Sequence, residues 1–280
     1  MYNLLTLFGA SEGDGPAIHI TPGELFKIGE ISVTNSMLYG AVSSLLILVV
    51  LISISRRMTL RPKRGLTQMV EIGTEFIIST IQNSMGSRKK AIKYAPFFVS
   101  AFFFVMFTNW LGLVPGGGES ITYGGDPIIR PFTADLNGTL AASLIMMILV
   151  QYFAIRESGP IKHLRHFFAG SLKNPATYLL GVFEIFSEFT KIFSLALRLF
   201  LNVAIGEAII SIFTWLGGYL GPITSLPILV LELFVGALQA YIFTMLTIMY
   251  LAAAIHHEHD AEELERHELA KLAAAESKAH

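Results

Sequence analysis

The chain has 280 residues, 53% of them hydrophobic and only 15% charged, with a formal net charge of −1 and a mean hydropathy of +0.59. The charged share is well under the ~25% of an ordinary soluble domain, and so small a net charge offers no basic field for nucleic acid. Cysteine is absent, which excludes disulfides, thiolate metal sites and cysteine nucleophiles.

The amino-terminal stretch MYNLLTLFGASEGDGPAIH has no basic n-region and carries Glu12 and Asp14. It is read as the start of an external segment, 1–35, rather than a signal peptide, with insertion through the first helix. Neutral runs follow at 31–55, 94–118, 136–155, 208–231 and 233–257. Each reaches the ~20 residues that cross a ~30 Å hydrocarbon layer as a helix. None shows the alternation of a barrel strand, so the expected class is an all-α polytopic membrane protein. About five spans are expected, near 36–55, 94–114, 136–155, 175–215 and 223–255, forming one transmembrane domain over 36–256.

The first span runs into RRMTLRPKR, and RKKAIK precedes the second. The next loop, GGGESITYGGDPIIRPFTAD, has three acids against one Arg, and RESGPIKHLRH after the third span is basic again. Lys and Arg mark the cytoplasmic side, so the N-terminus is expected outside and the C-terminus in the cytoplasm. Between the first two basic stretches, Leu66, Met69, Val70, Phe76, Ile77 and Ile81 repeat near the helical period while Glu71, Thr74 and Gln82 fall elsewhere. That pattern predicts an amphipathic helix over about 66–87 lying in the interface.

The carboxy-terminal third differs. Nothing breaks the helical pattern from Pro175 to about Trp215, GGYLGP (217–222) is a turn, and a second run extends from Ile223 to about Ile255. At 1.5 Å per residue these runs are about 60 and 50 Å long, far more than the bilayer, so the hairpin is expected to be strongly tilted or bent. The tail 257–280 is charged and is read as a solvated cytoplasmic helix.

Glu184, Glu188, Lys191, Arg198 and Glu207 lie inside the fourth span, where a charge costs ~2.5–3.5 kcal/mol on insertion scales and is functional by default. On a helical wheel Glu184, Glu188, Lys191, Arg198 and Asn202 fall within about 80°, with Ser187, Thr190 and Ser194 at the stripe's edge. Glu207 points about 180° from Arg198 and lies about 13 Å further along. In the next helix Glu232 and Gln239 share a face. Arginine holds its protons, so it is no link in a proton path; between two polar routes it acts as an electrostatic gate. The plainer reading of Glu184, Glu188 and Lys191 is mutual neutralisation at i, i+3 and i+4. Arg198 has no acid at i±3 or i±4, so its partner lies on another helix or another chain.

SLALRLFLNVAIGE (194–207) followed by GALQAYIFTMLTIMYL (236–251) resembles the a subunit of the F-type ATP synthase, and FTNWLGLVPG (107–116) and PFTADLNGTL (131–140) resemble its earlier motifs in the same order. The resemblance covers about 30–256 and is densest over 174–256. It implies a proton-channel stator subunit that is not itself catalytic, beside a ring of carboxylate-bearing hairpins, the c-ring, and held by b-type peripheral stalk subunits within the rest of the ATP synthase. It implies that Arg198 is the essential arginine that meets the ring carboxylate. Asn202, Glu207, Glu232 and Gln239 match the outer half-channel and Asn109 its vestibule. Glu184, Ser187 and Ser194 match the inner one, and Thr190, Glu188 and Lys191 lie on the same track, Glu188 without a family role. Some members pair an acid with a histidine where Glu207 and Glu232 stand here. Two nearby carboxylates do not both ionise cheaply, so proton entry is expected at a different pH.

No cofactor or metal is expected. IHHEHD (255–260) is read as a solvated helix end, and the Asn137-Gly138-Thr139 sequon as chance. The competing functions are a sodium-translocating version of the same subunit and a self-contained secondary transporter, which the lack of an internal repeat disfavours. The expected location is a bacterial inner membrane, with the mitochondrial inner membrane as the alternative.

Overall fold

A computed structural model describes residues 23–28, 31–56, 65–113, 118–123, 126–129, 131–159 and 175–279. The N-terminal residues 1–22, the basic stretches 57–64 and 160–174, and the side chains of 256–280, His cluster included, lie outside the described residues. The orientation reading rests largely on them.

The described residues form six long helices: α1 (Asn35–Arg56), α2 (Leu66–Met85), α3 (Arg88–Gly112), α4 (Leu136–Ser158), α5 (Pro175–Gly217) and α6 (Gly221–Ala279). Two short antiparallel hairpins, β1 (Glu24–Ile28) with β2 (Ile31–Thr34) and β3 (Gly118–Tyr123) with β4 (Asp126–Ile129), lie outside the expected spans. Four stretches are long and apolar enough to cross a membrane: Asn35–Ile54, Arg88–Gly112, Leu136–Glu157 and Gly181–Ile255. The last is broken at Gly218–Leu220, where Gly218 adopts φ +51°, and so supplies two helices. The chain is therefore an all-α polytopic membrane protein.

The surface confirms the solvent. Val42, Leu45, Leu48, Ile145, Ile148, Phe183, Phe186, Phe189, Leu231 and Phe234 are all exposed, a coat that water would punish and lipid tails accept. What is buried includes hydroxyls, among them Ser36, Ser43, Thr108, Thr133, Thr244 and Thr247, and the amides of Asn109 and Gln239. Small polar side chains facing protein and large apolar ones facing out is the arrangement a bilayer selects.

The described residues form two compact units. The first joins the described residues up to 143 to 194–245 and so contains α1, α2, α3 and the facing halves of α5 and α6. Here α2 folds back on α3 after Gly86, which takes the left-handed conformation at φ +68° and returns its N–H to the Gln82 carbonyl. Val70, Ile77 and Ile81 are buried in this hairpin while Met69, Ile72 and Phe76 stay exposed. Arg88 reaches back to Glu75 at 2.9 Å across the turn. The start of α4 is tied to the start of α1: Asp135 accepts the Asn137 N–H at 3.0 Å and the Ser36 hydroxyl at 2.6 Å. The second unit joins 144–193 to 246–280, bringing together most of α4, the first half of α5 and the end of α6.

Candidate ion-translocation site

In the first unit α5 and α6 run antiparallel from the tight turn at Gly218. Thr224 donates its hydroxyl to the Phe213 carbonyl at 2.8 Å, which sets the register near the turn. Further along, the Glu232 carboxylate lies directly on Gly206, where the missing side chain leaves room for it. Glu232 thus meets α5 one residue before Glu207. From Gly206 back to Arg198 is about 12 Å of helix, and from Glu232 on to Gln239 about 10.5 Å, so this register brings Gln239 to the depth of Arg198.

Helix α3 holds this part of α6 from the side. The Trp110 indole N–H donates to the Leu233 carbonyl at 2.9 Å, and Asn109 Nδ2 donates to the Gly236 carbonyl at 3.3 Å. Both carbonyls sit within one turn after Glu232. Asn109 and Gln239 are buried, and Asn109 Oδ1, Asn202 Nδ2 and Gln239 Nε2 are buried atoms with no hydrogen-bond partner among the described residues. Leaving such an atom unpaired costs about 1–3 kcal/mol, so these positions suit water. Tyr39 of α1 lies within electrostatic range of Glu207. Arg198 is different in kind. It is exposed on the outer face of α5 beside Leu201 and Ile205, and it makes no hydrogen bond or ion pair with the described residues. Ser194, one turn earlier, is also exposed.

In the second unit Glu184 and Ser187 are half-buried on α5. Thr190 spends its hydroxyl on the Phe186 carbonyl at 2.8 Å. Glu188 accepts from Lys191 through Oε1 and from Gln151 of α4 through Oε2 at 2.8 Å, and the Lys191 ammonium sits 5.4 Å from the centre of the Tyr250 ring.

The structure therefore seats Glu232 on Gly206 beside Glu207, ties Asn109 to the turn after Glu232, leaves Gln239 further along α6 with Asn202 and Arg198 on the facing α5 segment, and pairs Glu188 with Lys191. Four contributors escaped the sequence reading: Tyr39, Trp110, Gln151 and Gly206. Two left a signal: a glycine directly before Glu207 inside an apolar helix, and an amide, Gln151, deep in the neutral run 136–155. Among the described residues no cluster of His, Cys, Asp or Glu is arranged to hold a metal.

Fold and site together define a polytopic helical membrane protein with charged and amide side chains set at bilayer depth, the arrangement of an ion-conducting subunit. Residues 37–252 match the family model described as ATP synthase A chain, and the chain belongs to that family. It is 33% identical over 252 residues to ATP synthase subunit a of Anaeromyxobacter dehalogenans, which covers 86% of this chain and 63% of that one. The subunit a of Moorella thermoacetica is 30% identical over 238 residues, 85% of this chain and 98% of the relative. That of Bdellovibrio bacteriovorus is 34% identical over 201 residues, 70% of this chain and 78% of the relative. The chain thus spans under two thirds of the first relative and nearly all of the second. Membership makes it an ion-channel subunit of the ATP synthase membrane sector, not a catalyst by itself.

Proposed function

We propose that the chain is the proton-translocating stator subunit of a rotary ATP synthase. In this reading it provides two half-channels offset in depth and separated by Arg198, which faces the carboxylates of a rotating c-ring. The observation that carries it is the state of Arg198: a permanent charge at membrane depth, exposed, with no partner among the described residues. Such a charge is costly in lipid and calls for a compensating anion beyond the described residues, in this reading one on a partner subunit. A ring carboxylate, arriving deprotonated and leaving once protonated, fits that requirement.

Asn109, Asn202, Glu207, Glu232 and Gln239 form the outer route. Their support is the cluster of buried polar atoms lacking protein partners, which is what a water-lined path needs. Glu184, Ser187, Thr190 and Ser194 form the inner route, with Glu188 and Lys191 flanking it. The guanidinium keeps protons from passing directly between the two. A proton must therefore board the ring on one side and leave on the other, which couples its flow to rotation. The c-ring, b-type stalk subunits and the rest of the synthase are the partners in this reading. The membrane is a bacterial inner membrane, N-terminus outside and C-terminus in the cytoplasm, in keeping with bacterial relatives and the basic loops.

The test measures proton flux in inverted vesicles carrying the assembled complex, wild type or Arg198→Ala, with the catalytic head attached and then stripped. ATP-driven pumping is expected to vanish while passive leak through the stripped membrane is kept or increased. Pumping that survives Arg198→Ala would overturn the proposal.

A further inference from the structure

Helix α5 carries three ionisable side chains in two turns, Glu184, Glu188 and Lys191, and the structure treats them differently. Both Glu188 oxygens are occupied: Oε1 takes the Lys191 ammonium and Oε2 takes the Gln151 amide N–H at 2.8 Å. The pair is sheltered, with side-chain exposures of 27% for Lys191 and 21% for Glu188. An open cavity of about 460 Å³ is lined by Gln151 and Glu188 themselves together with Met147, Ile148, Tyr152, Ile155, Ile185 and Ile192. Apart from Gln151 and Glu188 the lining offers no charged or amide group to hold a file of water leading to the carboxylate. Lys191 is fixed at its other side by the face of Tyr250, a contact favourable to an ammonium.

A relay group must offer a free lone pair and then release the proton to a neighbour. Both Glu188 oxygens already accept a donor, and protonation would forfeit the charge that holds the Lys191 ammonium. We propose that Glu188 is a positioning residue and not a stop on the ion path. Its carboxylate neutralises Lys191, and through Gln151 it fixes the rotation of α5 against α4, so that the inner route runs through Glu184 and Ser187 beside an electrically silent hub. This rests on the reading of the first half of α5 as the inner route. Without Glu188, the Lys191 ammonium would stand unpaired beside that route and repel the protons it carries. Without Lys191, an uncompensated carboxylate would trap them.

The inference makes the two charges dispensable together and not singly, as when an ion pair is replaced by neutral groups of similar size. ATP-driven acidification by inverted vesicles is compared for wild type, Glu188→Gln, Lys191→Met, the Glu188→Gln/Lys191→Met double variant and Glu184→Gln, with co-purification of the whole complex checking assembly. Each of Glu188→Gln and Lys191→Met is expected to lower pumping several-fold while the complex still assembles, and the double variant to return to within about twofold of wild type. A double variant as impaired as Glu188→Gln alone would mean that the carboxylate itself carries the ion, and the inference fails. Single variants that pump normally overturn it too. Glu184→Gln reads the other question: normal pumping there removes the inner route itself, whatever the double variant does.

Discussion

The carboxylate of Glu232 rests on the backbone of Gly206, close enough that a methyl group at 206 would collide with Glu232 Cδ and Oε1. A carboxylate is thereby seated against α5 beside Glu207, and glycine is the residue that allows it. In a helix interior glycine forfeits roughly 1 kcal/mol relative to alanine, a cost that its contact with Glu232 explains.

Gly206→Ala is accordingly expected to push Glu232 off α5. The helix gains about 1 kcal/mol of propensity, and because the colliding atoms are the end of a flexible side chain the relief is a swing of Glu232 away from its seat, which displaces a group of the proposed outer route. ATP-driven pumping should fall several-fold. Adding Glu232→Ala removes the collision, so Gly206→Ala should then cost no further stability and should become slightly favourable. Thermal dissociation of the detergent-solubilised complex reads the non-additivity; equal destabilisation in both backgrounds would show that the contact is not what matters.

A second expectation concerns the clamp from α3. Trp110→Phe keeps the ring and deletes the donor to the Leu233 carbonyl, and Asn109→Leu deletes the donor to Gly236. Each carbonyl still has its own helical N–H partner, so each loss should cost only about 0.5–1.5 kcal/mol of stability. The functional effect should be larger than the structural one, because the two bonds fix the turn that follows Glu232. Pumping that drops in proportion to complex abundance and no further would contradict a positioning role for the clamp.

Much of this was legible in the sequence. Long neutral runs announced the spans because a helix in lipid must be apolar along its whole length, and Arg198, Glu207, Glu232 and Gln239 were conspicuous because lipid makes polar residues expensive. The helical period also placed Glu188 and Lys191 on one side of α5. It was silent on which acid Lys191 would choose, and on Gln151, 37 residues away from Glu188. Periodicity reports a face and not what meets it, so the Trp110 and Asn109 bonds to α6, more than 120 residues distant, left no trace in the pattern. Tyr39 was hidden for a related reason: in the first span a tyrosine reads as an interfacial anchor, and its nearness to Glu207 arises only when α1 packs. The two β-hairpins lie in the segments with the weakest patterning.

The α2–α3 hairpin supplies the last expectation. A Cβ at Gly73 would lie 2.9 Å from Phe103 Cζ and 3.7 Å from Phe102 Cε1. Phe103 has little freedom to yield: it is buried, packs edge-on against Phe102 at 5.2 Å and stacks on Phe107 at 5.9 Å. Gly73→Ala sets a propensity gain of about 1 kcal/mol against an overpacking cost of about 1–3 kcal/mol, so the net change should be small and unfavourable. Gly73→Leu adds three more carbons in the same gap with little further helical gain, and should be clearly destabilising. Phe103→Leu shortens the opposing ring and should relieve part of the Gly73→Leu defect. The thermal midpoint of the purified complex decides this: no recovery in Gly73→Leu/Phe103→Leu relative to Gly73→Leu would mean that α2 is not seated on α3 through this contact.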